Sequence, residues 1–404
     1  MAVSENASSD AAKKAKPKVA VIGAGPAGLM AAQRLAEGGC DVTVFEQKGA
    51  PARKFLMAGR GGLNLTHTTP SDKALDKYGT AASRLRKALD QFTPDDMRNW
   101  ANDLGQKTFI GTSGRVFPES LKASPLLRAW LHYLGTCDVK LRLKHRWTGW
   151  DGTGALTFTP VGSTGARGRR PSETTVWSTF KADVTVLALG GASWPNLGSD
   201  GEWTEILAAQ DVPLAPLEPS NAGLCISWSD HLRSRYAGAP VKNIALTLGE
   251  NHFLGETVIT AYGLEGGVCY ALNRAVRNCL ASAATASLII DLKPDVSKDQ
   301  LAERLARPRG RQSQANHIRK ASGLSAPAIA LLREAQNGAL PQDPRQLACL
   351  IKSLPLVCTG LSGFDRAIST AGGVEFSAVG SDYMLNVRPG VFVAGEMLDW
   401  EAPT

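Results

Sequence analysis

The stretch from Val19 to Gly28, V-A-V-I-G-A-G-P-A-G, constrains this chain more than any other. Val19, Ala20, Val21 and Ile22 suit a buried parallel strand. Gly23, Gly25 and Gly28 then satisfy G-x-G-x-x-G, with Pro26 and Ala27 inside it, and Leu29 to Leu35 follow with helical character. Each glycine has a mechanical task. Gly23 makes the tight turn, Gly25 lets backbone approach a pyrophosphate, and Gly28 lets helix and strand pack closely. The pyrophosphate is expected on the helix N-terminus, where free N–H groups and the helix dipole favour an anion.

A lone glycine fingerprint is weak, so its context decides. Asp41 to Phe45 alternates as a second strand and ends in Glu46, eighteen positions after Gly28. An acid near twenty residues on accepts a hydrogen bond from an adenosine ribose and repels a 2′-phosphate, which argues against NADP in this slot. A glycine-rich turn followed by a solvated glutamate is the bland alternative. It does not account for strand, glycines, helix, second strand and acid occurring in order.

The chain of 404 residues is long enough for two or three domains. Hydrophobic content of 43% and charged content of 20% are ordinary for a globular protein. No apolar run reaches the length of a membrane-spanning helix. The net charge of +8 permits an anionic ligand. The basic residues between Arg304 and Lys320 lack aromatic interleaving, so a solvated surface accounts for them better than a nucleic-acid site does. Seven widely spaced cysteines without C-x-x-C pairs suggest a reducing compartment. Residues 1–17 lack a signal-peptide core, and the expectation is a disordered tail on a cytoplasmic protein.

Further along, Arg53 to His67 (R-K-F-L-M-A-G-R-G-G-L-N-L-T-H) is a basic, glycine-rich loop suited to phosphate or flavin. Thr93 reads as an N-cap with Pro94 at the first helical position. Leu126 to Leu134 reads as a helix, and Val139 to Trp150, Ala155 to Pro160 and Thr174 to Phe180 as strands. Gly162 to Arg170 lies between the last two as a hairpin tip. Asp183 to Leu189 is a further strand running into Gly190 and Gly191. Pro213 to Val268 is β-like, Ser297 to Ala306 and Ala326 to Gln336 are helical, and Ile368 to Val374 and Gly390 to Glu396 return to the sheet pattern. The implied organisation is a discontinuous dinucleotide domain (18–205 and 355–404), a β-rich insert (206–292) and a helical insert (293–354).

These residues resemble the YhiN/BaiN-like family of FAD-dependent oxidoreductases, related to the glutathione-reductase-type flavoproteins. The resemblance runs from about Lys18 to the end. It is carried by residues 19–28, 53–67, G-R-V-F-P-E-S-L-K-A (114–123), V-L-A-L-G-G-A-S-W-P (186–195), T-A-Y-G-L-E-G-G (260–267), S-T-A-G-G-V (369–374) and V-F-V-A-G-E-M-L-D (391–399). Arg60 to Asn64 stands where much of the family has Gly-Arg-Cys-Asn, so a chemical role of that cysteine is not shared here. The resemblance implies an α/β fold, with a Rossmann-like FAD-binding domain of glutathione-reductase type carrying a β-rich and a small helical insert. It implies FAD on the fingerprint, with Glu46 at the ribose, its neighbour Gln47 among the cofactor-binding residues, and Lys54, Gly59, Arg60 and Asn64 along pyrophosphate and flavin. Gly190 and Gly191 complete that set, and Gly395 and Glu396 hold the ribityl chain. The family continues past Ala-Pro-Thr into a flavin-capping helix, so weak FAD binding is the expectation for a chain ending at Thr404.

One fingerprint is present, without a second for NAD(P)H and without a C-x-x-x-x-C dithiol. NAD(P)H is therefore expected as a transient co-substrate, or the substrate itself is the hydride donor. His67 and Tyr262 are the acid–base candidates, each with an ordinary structural alternative. Trp194 and Trp400 suit stacking on a planar ring, or core packing. The implied activity is hydride transfer through flavin N5 with a small organic substrate. Two alternatives stay open: an amine or aminoketone oxidase using oxygen, and a non-catalytic nucleotide- or RNA-binding protein. No metal, membrane or nucleic-acid partner is expected, and the residues leave the oligomeric state open.

Overall fold

The computed structural model describes residues 15–58, 61–161, 178–336 and 338–402. Most of the tail expected over residues 1–17, the Gly162–Arg170 hairpin tip, the start of the Thr174–Phe180 strand, Gly59 and Arg60 lie outside the described residues.

Five parallel strands form the sheet that positions the site. In spatial order they are Val391–Val393, Val184–Leu187, Lys18–Ile22 (β1), Asp41–Glu46 (β2) and Lys140–Leu143. The helix Pro26–Glu37 (α1) connects β1 to β2. Val19 to Ile22 are at most 1% exposed because both faces of β1 are covered. One face carries Leu29 and Ala32 of α1 with Trp100, Leu126 and Trp130. The other carries Phe45, Trp147, Phe158, Leu187 and Trp203. The chain leaves β1 toward β2 on one side and reaches Val184–Leu187 on the other. Strand order therefore reverses at β1, and in such sheets ligands bind at the carboxyl ends of the strands there. The fold is of the Rossmann-type, FAD-binding α/β kind, with antiparallel insert sheets beside the parallel one.

Lys144 corrects the single strand expected from Val139 to Trp150. Its left-handed φ of 62° ends Lys140–Leu143 and redirects the chain. His145–Trp150 then pairs antiparallel with Leu156–Pro160 in a separate three-stranded sheet. The β-like stretch from Pro213 to Val268 is interrupted by the helix Asp230–Tyr236, whose N-cap Ser229 accepts from the Leu232 N–H.

The insert is a seven-stranded antiparallel sheet built largely from Pro240–Leu248, Asn251–Thr260 and Ala286–Asp291. Leu354–Cys358 pairs with Ala286–Asp291, so the expected boundary at 355 falls inside an insert strand. Leu214–Ser220 pairs instead with Ser369–Val374, although the expected insert begins at 206. Lys298–Leu305 and Ala326–Glu334 form the two expected helices. Gln314–Ser322 and Pro344–Lys352 add two more of similar length. Thr93 closes a capping box with Asp96 at the start of Pro94–Asp103. Among the described residues no helix is long and apolar enough to cross a membrane.

Candidate functional site

A cavity of about 1320 Å³ opens at the carboxyl ends of β1 and β2. It is larger than the range of about 300–1,000 Å³ usual for drug-sized ligands, which suits an extended molecule. Gly23, Gly25, Pro26 and Ala27 line it, and the helix α1 (Pro26–Glu37) begins there. No acid stands in the first turn of α1 and no side chain caps it, so its N–H groups stay available to an anion.

Steric detail separates the three glycines. Gly23 has φ of 103°, and a Cβ there would lie 2.3 Å from Ala188 O. A Cβ on Gly28 would lie 1.9 Å from Gly23 O. A Cβ on Gly25 meets nothing within 4 Å among the described residues. Gly23 and Gly28 are thus needed by the fold itself, whereas Gly25 keeps space clear on the cavity side.

Glu46 lines the cavity at the end of β2. Its Oε2 accepts the Ala24 N–H at 3.0 Å and its Oε1 the Lys48 N–H at 2.7 Å. These bonds orient the carboxylate and leave lone pairs for ligand hydroxyls. Burial pushes its carboxyl above the ordinary carboxylate value, against the opposing pull of the Lys48 and Ala24 N–H groups. The folded chain therefore holds this proton to higher pH than the unfolded chain does. Its contribution to stability is complete below the ordinary glutamate value and is lost as pH rises through the raised one. Glu46→Gln, which cannot ionise, is expected to gain on the wild type in unfolding free energy as pH rises from about 4 to about 7. Denaturant unfolding at both pH values tests this, and parallel pH profiles would remove Glu46 as the cause. The same variant is expected to bind FAD more weakly, because the amide nitrogen cannot accept from a ribose hydroxyl.

Gln47 also faces the cavity and bridges to the 198–200 segment. Its Nε2 donates to Gly198 O at 2.7 Å and to Asp200 Oδ2 at 3.2 Å. Arg146 Nη2 donates to the same Asp200 oxygen at 2.9 Å.

Lys54 and Glu396 lie far apart in sequence and meet here. Lys54 Nζ donates to Glu396 Oε2 at 2.9 Å and to Ser193 Oγ at 2.6 Å. Glu396 Oε1 accepts the Thr370 N–H at 2.9 Å. Both side chains keep about a quarter of their exposure, so the pair adds little to stability, and its consequence is a fixed ammonium on the cavity wall. Asn64, Gly190, Trp194 and Trp400 line the same cavity. Trp400 donates its indole N–H to Gly395 O at 3.0 Å.

Gly28, Gly191 and Gly395 stand behind the wall as close-approach points. A Cβ on Gly395 would lie 2.6 Å from Ala27 Cβ, and one on Gly191 would overlap Thr370. Gly59 and Arg60, expected along the phosphates, lie outside the described residues.

Neither acid–base candidate, His67 or Tyr262, lines the cavity. His67 sits exposed on a short surface strand. Its Nε2 is 2.8 Å from Ser113 O and its Nδ1 accepts the Thr69 N–H at 3.0 Å, so the loop engages both ring nitrogens. Tyr262 belongs to the insert, where its hydroxyl bonds the Glu265 carboxylate and the Arg366 guanidinium lies 5.0 Å over its ring.

Sequence reasoning passed over Trp147 and Ser199. Both line the cavity and both are about 95% buried. Among the described residues, Trp147 Nε1 and Ser199 Oγ have no hydrogen-bond partner. A strand tryptophan and a loop serine carry no sequence signal of that kind. Thr370, which receives the Ala192 N–H at 2.8 Å, sits in the S-T-A-G-G-V stretch and was legible as part of it.

Comparison with known proteins adds the following. The chain is 26% identical to a 3-dehydro-bile acid delta(4,6)-reductase of Clostridium scindens, over 95% of this chain and 93% of that protein. It is similar in chain path to a 3-ketosteroid delta1-dehydrogenase of Sterolibacterium denitrificans, at 14% identity and TM-score 0.48 over 95% of this chain and 94% of that one. It is also similar to a 3-ketosteroid-delta4-(5alpha)-dehydrogenase of Rhodococcus jostii RHA1, at 15% identity and TM-score 0.45 over 97% and 92% of the two chains. Residues 17–404 match the HI0933-like protein Rossmann domain, nearly the whole sequence, and the chain belongs to that family.

Proposed function

We propose that this protein is an FAD-dependent oxidoreductase that exchanges a hydride with a small organic substrate, with NAD(P)H as donor. The observation that carries the proposal is the open face of Gly25 at the N-terminus of α1, a cradle that a side chain would fill. Glu46 stands across from it with both oxygens oriented by backbone. When bound, FAD supplies hydride transfer, and the protein supplies orientation and electrostatics.

The α1 N-terminus binds and neutralises the pyrophosphate. Glu46 accepts the ribose hydroxyls. Because a carboxylate repels a 2′-phosphate, NADPH is expected to approach from outside this slot. Lys54, held by Ser193 and Glu396, presents an ammonium to the cavity that Trp194 and Ile368 also line. That pairing suits a flat apolar substrate with a carbonyl oxygen, which the ammonium orients and polarises. The name of the Clostridium scindens relative supports a steroid-like ketone as the first class to try.

The test is the visible spectrum of the purified protein under anaerobic NADPH, followed by addition of a steroid-like enone. Flavin bands that bleach and then return support the proposal. Bands that ignore NADPH and bleach with an amine substrate would move the reading to an oxidase. A colourless protein that takes up no added FAD sinks it.

A further inference from the structure

Five buried side-chain polar atoms lack a hydrogen-bond partner among the described residues: Arg98 Nε, Thr108 Oγ1, Trp147 Nε1, Ser199 Oγ and Gln312 Oε1. A buried donor or acceptor left unpaired costs about 1–3 kcal/mol, so each calls for a reason. Trp147 and Ser199 belong to the cavity wall and the other three residues do not.

Each of the two is the chain neighbour of a residue in one hydrogen-bonded bridge. Asp200 Oδ2 takes bonds from Gln47 Nε2 and Arg146 Nη2. Gln47 follows Glu46, Arg146 precedes Trp147, and Asp200 follows Ser199. The bridge thus brings the backbone at both residues toward the strand end that presents the Glu46 carboxylate, and Ser199 Oγ lies beside Gly190 of the same cavity. In a dinucleotide the purine base is bonded directly to the ribose assigned to Glu46, whereas the flavin lies beyond two phosphates and a ribityl chain.

The chemistry of the two groups matches a purine. An indole N–H is a donor alone, and a hydroxyl both donates and accepts. Adenine carries ring-nitrogen acceptors and an exocyclic amino donor. Phe45, Trp203 and Ile206 line the same cavity and offer apolar contact to a flat ring. We infer that Trp147 and Ser199 recognise the adenine of the ADP half of FAD, the indole N–H donating to a ring nitrogen and the serine hydroxyl pairing with the amino group. The inference rests on the FAD reading above and names the residues that read the base.

The experiment is titration of FAD into flavin-stripped protein, followed by flavin fluorescence, with ADP as competitor. Trp147→Phe keeps an aromatic face and removes the N–H. It is expected to weaken FAD and ADP by the same factor, about tenfold, as for one buried hydrogen bond. Ser199→Ala is the companion variant. It deletes a hydroxyl unpaired in the free protein, so the unfolding midpoint without ligand is kept or raised while FAD and ADP both weaken about threefold or more. Wild-type affinity for both ligands in both variants overturns the inference and leaves the FAD reading standing. A loss for FAD with ADP unchanged also overturns it, by moving these residues to the flavin side. Wild-type protein that binds FAD but is not displaced by ADP overturns it as well. Wild-type protein that binds neither ligand overturns both readings.

Discussion

Gly25→Val is expected to give a folded protein that retains no FAD. The position has an extended backbone, φ −78° and ψ 179°, which valine adopts without strain. A Cβ there touches nothing among the described residues, so the fold has room for it. The cost to the free protein is the loss of a favourable N-cap residue, about 1 kcal/mol. The ligand fares differently. The valine side chain fills the space beside the α1 N-terminus and separates an anion from the N–H groups that hold it. A loss of at least about a hundredfold in FAD affinity is expected, ~3 kcal/mol. Circular dichroism and thermal unfolding check the fold, and flavin content after purification checks the site. A yellow Gly25→Val protein with wild-type retention would take the pyrophosphate away from this turn.

Gly28→Ala is expected to do the reverse, damaging the fold before the site. Its Cβ would lie 1.9 Å from Gly23 O and 3.3 Å from Ala188 Cβ. The obstacle is backbone of the turn itself, so it cannot swing aside as a side chain would. Relief requires α1 to move off β1, which opens the core that Val19, Val21 and Leu29 close. Overpacking of a well-filled core costs about 1–3 kcal/mol, and a collision with backbone belongs at or above the upper end of that range. Denaturant unfolding of the flavin-free protein is expected to show a midpoint well below that of Gly25→Val. Equal midpoints for the two variants would mean that helix and strand have slack at Gly28.

Together the two glycines show how much of the site is local. Gly23, Gly25 and Gly28 are separated from Glu46 by one helix and one strand, so chain connectivity alone brings them to the carboxyl ends of two adjacent strands. Their tasks follow from backbone sterics, and the sequence is enough to read them. Thr93 with Asp96 and Ser297 with Gln300 are legible for the same reason, since each cap joins residues three apart.

Elsewhere the placement of a residue rested on a contact that was distant or conformational. Lys144 breaks a uniform β pattern through one left-handed residue, which spacing does not reveal. His67 follows a loop that resembles a flavin-binding segment, yet strand pairing of Thr66–His67 with Arg115–Pro118 leaves it on the surface. Tyr262 stands in a recognisable motif, but its hydroxyl is held by Glu265 and it does not line the cavity.

By itself the sequence determined the strand–turn–helix unit, the acid that closes it and the parallel sheet they imply, because each depends on neighbours along the chain and on sterics that every copy of the motif shares. The tertiary structure alone decided that Lys54 meets Glu396 across 342 residues and that Trp147 and Ser199 line one cavity with polar atoms unpaired among the described residues. Those pairings arise when separate elements pack against one another, and no local preference of either residue encodes its partner.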